Sequence, residues 1–292
     1  MAETQSATTP RDEPVEPAAD AGPGRPGKPW WQPALTAVGL MIDRLPDAAL
    51  LQLWSGVARR RSRAMEPGAA LRLLLEMDRR LYTLTGKAAV RYGKGTHPKH
   101  RHLNYHRFFT QRVAADQRVL DVGCGIGAVA YDLAQQSGAR VTGIDYTAAN
   151  IEVARRDYAH PRVEYLLGDA LRDIPPGRFD VIVLSNVLEH LHERPAVLAA
   201  LVEAHRPSRV LIRVPCWDRD WRVPLRDELG LDSRLDEDHK IEYTAATFCR
   251  EAGEAGLVVE SLDVQWGEIW SQLRPEAAAV GGEGEAGGGA DG

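Results

Sequence analysis

The sequence predicts an α/β protein, a doubly wound sheet of parallel strands with helices on both faces. Three observations carry this reading. Residues 119–127 read VLDVGCGIG, a short apolar run (Val119, Leu120, Val122) with one acid, Asp121, that breaks into three glycines within five residues. Such a run suits a buried central strand, and the glycines let its exit turn pass close to a ligand. Eighteen residues after Gly127 a second strand-like stretch, RVTGID, ends on Asp145. At the carboxyl edge of a parallel sheet that carboxylate is placed to accept hydrogen bonds from ribose hydroxyls. From residue 118 onward, strand-like runs alternate with helical patterns, which is how a sheet covered on both faces is written.

The elements follow in order. Residues 1–29 are rich in Pro, Ala, Gly, Thr and Glu without apolar periodicity and are expected to be disordered. A helical extension covers 30–92. After Pro46 and the cap candidate Asp47, Leu50, Leu53, Trp54 and Val57 keep helical spacing. A second stripe runs Ala70, Leu74, Met77, Leu81, Leu84, with Gly86 as its expected stop. Strands are expected near 118–123, 140–145, 162–167, 179–184 and 208–214, and helices near 128–137, 148–159 and 195–205. Thr147 is the expected cap of the second of these helices, and Pro195 suits a first helical position. The main domain spans 93–274. Within it, 215–243 is a long insertion, after which Thr244 caps a helix ending at Gly256. LVVESLDVQ and EIWSQL then finish the sheet. The tail 275–292 is mostly Ala, Gly and Glu and cannot form a core.

Composition narrows the class. The 292 residues are 44% hydrophobic with a net charge of −5, as in a globular protein. Three scattered cysteines (Cys124, Cys216, Cys249) make neither a disulfide framework nor a metal cluster. With no uninterrupted apolar span and no basic-then-apolar N-terminus, the expectation is a reduced, cytoplasmic protein. Residues 59–112 hold 14 Lys or Arg against 3 Asp or Glu, which favours an anionic partner. The N-terminal helices are expected to pack on or beside the main domain. Trp30, Trp31 and Trp54 near Arg59, Arg60, Arg61 and Arg63 make peripheral contact with an anionic membrane an alternative, and a dimer contact is another.

The dinucleotide fingerprint G-x-G-x-x-G is absent, since the turn reads Gly123-Cys124-Gly125-Ile126-Gly127. The string instead resembles the first motif of class I S-adenosylmethionine-dependent methyltransferases. GDA at 168–170 and FDVIVLSNVLEHL at 179–191 resemble that family's later motifs, and the resemblance covers roughly 95–272. It implies a Rossmann-like sheet of seven strands with the last antiparallel, and S-adenosyl-L-methionine as cofactor. It also implies the cofactor site. Gly123, Cys124, Gly125 and Gly127 form the close turn, with Asp121 beneath it. Asp145 takes the ribose hydroxyls, Tyr146 lies against the adenine, Asp169 accepts from the adenine amino group with Ala170 alongside, and Ser185 and Asn186 line the sulfonium end. In this family the segment before the first strand commonly covers the cofactor, making Arg101, His102 and Tyr105 candidates for its carboxylate or for an anionic substrate.

Methyl transfer needs alignment, exclusion of water and a base for the acceptor proton. Glu189, His190 and His192 follow the fourth strand, and His190, which titrates near neutrality, is the first candidate with Glu189 beside it. Some relatives hold a divalent ion near a Glu-x-x-Glu-His segment. Glu189 and His190 are adjacent, and His239 follows in the later loop with Asp236 and Asp238 nearby, a candidate ligand set. Asn186, a poorer ligand, replaces the first Glu, so no metal is expected. The 215–243 insertion is long enough to be a binding loop. Trp217 and Trp221 offer stacking faces, Asp218, Arg219, Asp220 and Arg222 offer hydrogen bonds, and with His239 they suit a small-molecule or glycan acceptor. The resulting expectation is O-methylation of a sugar-containing or other small hydroxylated acceptor. The rivals are an RNA methyltransferase, favoured by the basic region but without a recognisable nucleic-acid module, and a non-catalytic scaffold of the same fold.

Overall fold

The computed structural model describes residues 39, 42–94, 97–170, 172–173 and 175–276. The expected disordered segment 1–29, Trp30 and Trp31, and the tail from 277 onward lie outside the described residues. The chain divides into two units, Met1–Arg61 and Ser62–Gly292.

Local chemistry explains the helices. Helix α1 (Asp47–Arg63) places Asp47 in its first turn, one position inside the expected cap. Helix α2 (Pro67–Tyr92) starts with proline in its first turn, where a missing N–H costs nothing. Glu66 caps it, its two carboxylate oxygens accepting the N–H groups of Gly68 and Ala69 at 2.9 Å each. The expected stop at Gly86 is not observed. Gly86 sits inside the helix, because Lys87, Ala88 and Ala89 continue a favourable helical run and one glycine costs only about 1 kcal/mol. The helix ends at Gly93, whose N–H donates to the Ala89 carbonyl.

Two short helices, α3 (Lys99–Leu103) and α4 (His106–Thr110), lead to the sheet, with Asn104 left-handed between them. The strands are β1 (Arg118–Val122), β2 (Arg140–Asp145), β3 (Val163–Leu167), β4 (Val181–Ser185), β5 (Arg209–Pro215), β6 (Leu257–Gln265) and β7 (Glu268–Pro275). They form one sheet in the order β3-β2-β1-β4-β5-β7-β6. The first five strands pair parallel, and β7 is antiparallel to both β5 and β6, the seven-stranded arrangement expected. Pro275, assigned to the tail by composition, closes β7 opposite Leu257.

Side chains alternate across the sheet with the period of two that a pleated strand imposes. Val119, Val181, Val183 and Leu211 face one core layer with Phe109 and Leu133, while Leu120, Ile182, Leu184 and Ile212 face the other with Leu198 and Phe248. The central strands are therefore apolar on both faces, as a parallel sheet buried under helices requires. Helices α5 (Ala128–Asp132, extended by a π turn through Ser137), α6 (Ala148–Asp157), α7 (Arg194–His205) and α9 (Ala245–Glu254) lie near the expected positions. Thr244 caps α9 in a reciprocal box with Thr247.

The 215–243 insertion is folded. It contains helix α8 (Arg222–Glu228) and is fastened to α2. Arg226 is buried, donating to the Leu75 carbonyl at 2.9 Å, to Glu76 at 2.6 Å and to the Asp232 carbonyl at 2.6 Å. Arg222 pairs with Asp78 at 3.0 Å and Arg79 with Asp232 at 3.3 Å. Among the described residues no helix is long and apolar enough to cross a membrane.

Candidate active site

The carboxyl ends of β1, β2 and β4 converge around the glycine turn. Gly125 has φ +54°, and a side chain there would meet nothing within 4 Å, so this side of the turn is open. At Gly127, with φ +86°, a Cβ would stand 2.6 Å from the Tyr165 hydroxyl, so only glycine fits. Asp145 holds the turn from the next strand. Its Oδ2 accepts the Gly125 N–H at 2.9 Å, and its Oδ1 accepts the Thr147 N–H at 2.8 Å. Asp121 lies buried beneath, its Oδ2 without a hydrogen-bond partner among the described residues. Burial, then the negative charge of Asp145, pushes the Asp121 carboxyl up to about 7. The Cys124 side chain turns into the core below the turn, and its N–H is taken by the Ile144 carbonyl. Tyr146 stands 81% exposed just past Asp145. Asp169 and Ala170 follow β3, and Asp169 is half-buried with its N–H donating to Asp173.

A second group forms past β4. Asn186 is left-handed at φ +57°, and its buried Oδ1 has no partner among the described residues. Glu189 is fully buried in the short 3-10 turn Leu188–His190, and neither carboxylate oxygen has a partner among the described residues. Burial pushes this carboxyl up to about 7. His239 comes in from the insertion, so that ligand atoms of Glu189, His190 and His239 all lie within 4.8 Å of one another. Glu242 accepts from or shares the proton of His239 Nδ1 at 2.7 Å and is itself paired with Arg219 at 2.8 Å. Burial opposes charge on His239, but Glu242 and then Glu189 outweigh it and raise its pKa. His190 is held below the ordinary imidazole range, first by burial and then by His239. Glu189 and His190 are neighbours in sequence, whereas His239 comes from far along the chain, and only the return of the insertion brings it to them. The donor set fits a divalent cation, with Glu242 fixing the His239 ring as an outer partner.

The segment before β1 divides in a way the sequence does not show. Arg101 and His102 are exposed, and the Arg101 guanidinium lies 5.8 Å from the Tyr92 ring centre. Tyr105 is buried, its ring 3.7 Å from the guanidinium carbon of Arg213 and its hydroxyl 2.8 Å from His100 Nδ1. Burial, then Lys99, brings His100 down to about 4, so it is neutral where its Nδ1 meets the Tyr105 hydroxyl. Arg213 is the residue that sequence reasoning missed, read only as part of a strand. It makes a buried two-point pair with Glu268 at 2.6 and 2.7 Å and reaches Ser185 Oγ at 3.1 Å. Its carbonyl accepts the Asn186 N–H at 2.8 Å. One arginine thus touches both the end of β4 and the segment before β1.

In the insertion, Trp217 is anchored, its Nε1 donating to Asp227 at 2.7 Å, whereas Trp221 is 71% exposed. Asp218 accepts from the Cys216 thiol at 2.8 Å. Arg219, Asp220 and Arg222, expected to offer hydrogen bonds outward, are joined instead to Glu242, to each other and to Asp78. The reason is that the folded insertion supplies Glu242 to Arg219 and Asp220 to Arg222, while α2 supplies Asp78 to Arg222.

A sheet in this order, with a glycine turn after β1 and acids on β1 and at the end of β2, defines the class I S-adenosylmethionine-dependent methyltransferases. Residues 119–208 match the methyltransferase-domain family. Over 170 residues the chain is 31% identical to the ubiquinone biosynthesis O-methyltransferase of Aeromonas salmonicida (strain A449), covering 54% of this chain and 70% of that one. The chain belongs to this family of S-adenosylmethionine-dependent methyltransferases. It is also 37% identical over 134 residues to the ribosomal protein L11 methyltransferase of Burkholderia mallei (strain NCTC 10229), 45% of this chain and 40% of that one. It spans about two fifths of the length of other ubiquinone biosynthesis O-methyltransferases that it matches. A methyltransferase solved in complex with the Trm112 activator of Haloferax volcanii shares the fold, with a TM-score of 0.52 at 15% identity over 65% of this chain and 96% of that one.

Proposed function

We propose that this methyltransferase acts on a hydroxyl oxygen of a small, sugar-containing or otherwise hydroxylated acceptor. The observation that carries this is the Glu189–His190–His239 group at the carboxyl edge of the sheet, beside the open face of the glycine turn. The cofactor supplies a methyl group already activated on a positively charged sulfur. Asp145 holds the glycine turn and offers its carboxylate to the ribose, with Tyr146 against the adenine and Asp169 and Ala170 at its edge. Asp121, Gly123, Gly125, Gly127, Ser185 and Asn186 surround the amino-acid end, and Tyr105 closes it from above. His190, neutral at pH 7, takes the acceptor proton on its free ring nitrogen as the oxygen is methylated, with Glu189 next to it. Trp221 supplies an exposed face against which the acceptor ring stacks. The name of the Aeromonas relative supports oxygen as the methylated atom.

A second reading is favoured by the two partnerless oxygens of Glu189. In it Glu189, His190 and His239 would hold a divalent cation, whose positive charge would lower the cost of deprotonating an acceptor hydroxyl beside them. The test is incubation of the protein with methyl-labelled cofactor and fractionated extract. Label in a ribonuclease-resistant small-molecule or glycan fraction is expected. Label in RNA, or in ribosomal protein, overturns the acceptor assignment. No cofactor binding by calorimetry leaves the scaffold reading.

A further inference from the structure

We infer that α1 and α2 each present a docking surface for an anionic lipid membrane. Large apolar side chains exposed to solvent are concentrated there. Twelve of the nineteen found among the described residues lie between Leu45 and Tyr92, a small part of the chain. Scattered exposed apolar residues are ordinary, but a concentration of this kind marks an interaction surface.

Each helix makes the case separately. On α1, Leu51, Leu53, Trp54 and Val57 are 66%, 49%, 45% and 60% exposed. At 100° per residue they fall within an arc of about 160°, the apolar stripe of an amphipathic helix. No acid occurs between Asp47 and Glu66, while Arg59, Arg60, Arg61 and Arg63 follow the stripe. On α2, one side is taken up by the insertion through Leu75, Glu76, Asp78 and Arg79. Leu74, Leu81, Tyr82, Leu84 and Tyr92 remain exposed on it, with Arg72, Arg80, Lys87 and Arg91 interspersed.

The charge identifies the occupant. Between Leu45 and Tyr92 stand 9 Lys or Arg against 4 Asp or Glu. A second copy presenting the same face would bring arginine against arginine. A nucleic acid would satisfy the arginines and leave Leu51, Leu53 and Val57 in water. An anionic bilayer surface satisfies both, taking the apolar stripe into the acyl boundary and the guanidinium groups among its phosphates.

The test uses the full chain with vesicles of phosphatidylcholine, alone or mixed with phosphatidylglycerol, and sedimentation as readout. Binding is expected to the mixed vesicles, weakened by salt, and little to the neutral ones. Replacing Arg60, Arg61 and Arg63 with Gln removes roughly 1 kcal/mol each, so the affinity falls on the order of 100-fold. Trp54→Glu with Val57→Glu, both on exposed positions, abolishes binding while cofactor affinity by calorimetry stays unchanged. Equal binding to both vesicle types, or binding that survives the glutamate pair, overturns the inference. So does a solution dimer that the glutamate pair dissociates, or an RNA oligonucleotide that binds where the mixed vesicles do not.

Discussion

Asp145 Oδ2 accepts the backbone N–H of Gly125 at 2.9 Å, so the acid that ends β2 also fixes the turn that ends β1. One carboxylate therefore shapes the cofactor turn and is available to the cofactor itself. Asp145→Ala is expected to weaken cofactor binding by about 1.5–3 kcal/mol for each charge-assisted ribose bond lost. Unchanged affinity in a folded variant, measured by calorimetry, would place the cofactor elsewhere.

Asp121 gives the apo protein a pH dependence. Its folded pKa of about 7 lies above the ordinary 3.8, so the folded state keeps a proton that the unfolded chain has released. Stability therefore falls as pH rises from about 4 to about 7 and is level above that, by at most about 4 kcal/mol from this group. Asp121→Asn should remove this group's part of the slope in denaturant titrations at successive pH values, leaving the part that the likewise raised Glu189 contributes. A wild-type curve that rises over the same interval would show that other groups dominate.

Breaking the Arg213–Glu268 pair leaves one buried charge without its partner. Glu268→Gln or Arg213→Met should each cost about 3–5 kcal/mol, and the double replacement by apolar residues should recover much of it. Urea unfolding of the three variants measures this. Equal losses in single and double variants would mean that the pair acts through packing alone.

The two insertion tryptophans should separate. Trp217 is tied to Asp227, so Trp217→Ala lowers the melting temperature. Trp221 has no such anchor, so Trp221→Ala leaves stability within about 0.5 kcal/mol and raises the acceptor KM. Normal turnover by the Trp221 variant on the identified acceptor would remove the stacking role.

Manganese or magnesium titrated into the apo chain should raise its unfolding midpoint if Glu189, His190 and His239 hold the ion, by about 2.7 kcal/mol at 100 times the Kd. His239→Ala should abolish the shift. A shift that persists in this variant locates the ion at another site.

The strands and the acids on β1 and at the end of β2 could be read from the chain, because alternation and glycine spacing are local signals. The count of seven strands and the antiparallel β7 came with the family resemblance, whereas the strand order emerged only from the structure. Gly86 misled, since a glycine tolerated inside a helix looks the same in sequence as one that ends it. Arg213 could not be found, because its partner Glu268 lies 55 residues away on an antiparallel strand. His239 was visible as a candidate partner of Glu189 and His190, but nothing local says that a folded insertion returns it to them. The charges on that insertion were read as outward because their pairing with α2 depends on helices far apart in the chain.

The position of β7 also sets an order of events during synthesis. It is the last strand of the sheet to leave the ribosome, yet it lies between β5 and β6 and carries Glu268 on its first residue. Until it arrives, β5 has an open edge of unpaired N–H and C=O groups, and Arg213 has no counter-charge. A nascent chain that has assembled the first five strands thus still holds an unneutralised guanidinium against Ser185 and Tyr105, which makes the closing hairpin, with its turn at Trp266 and Gly267, the step that settles the charge behind the site.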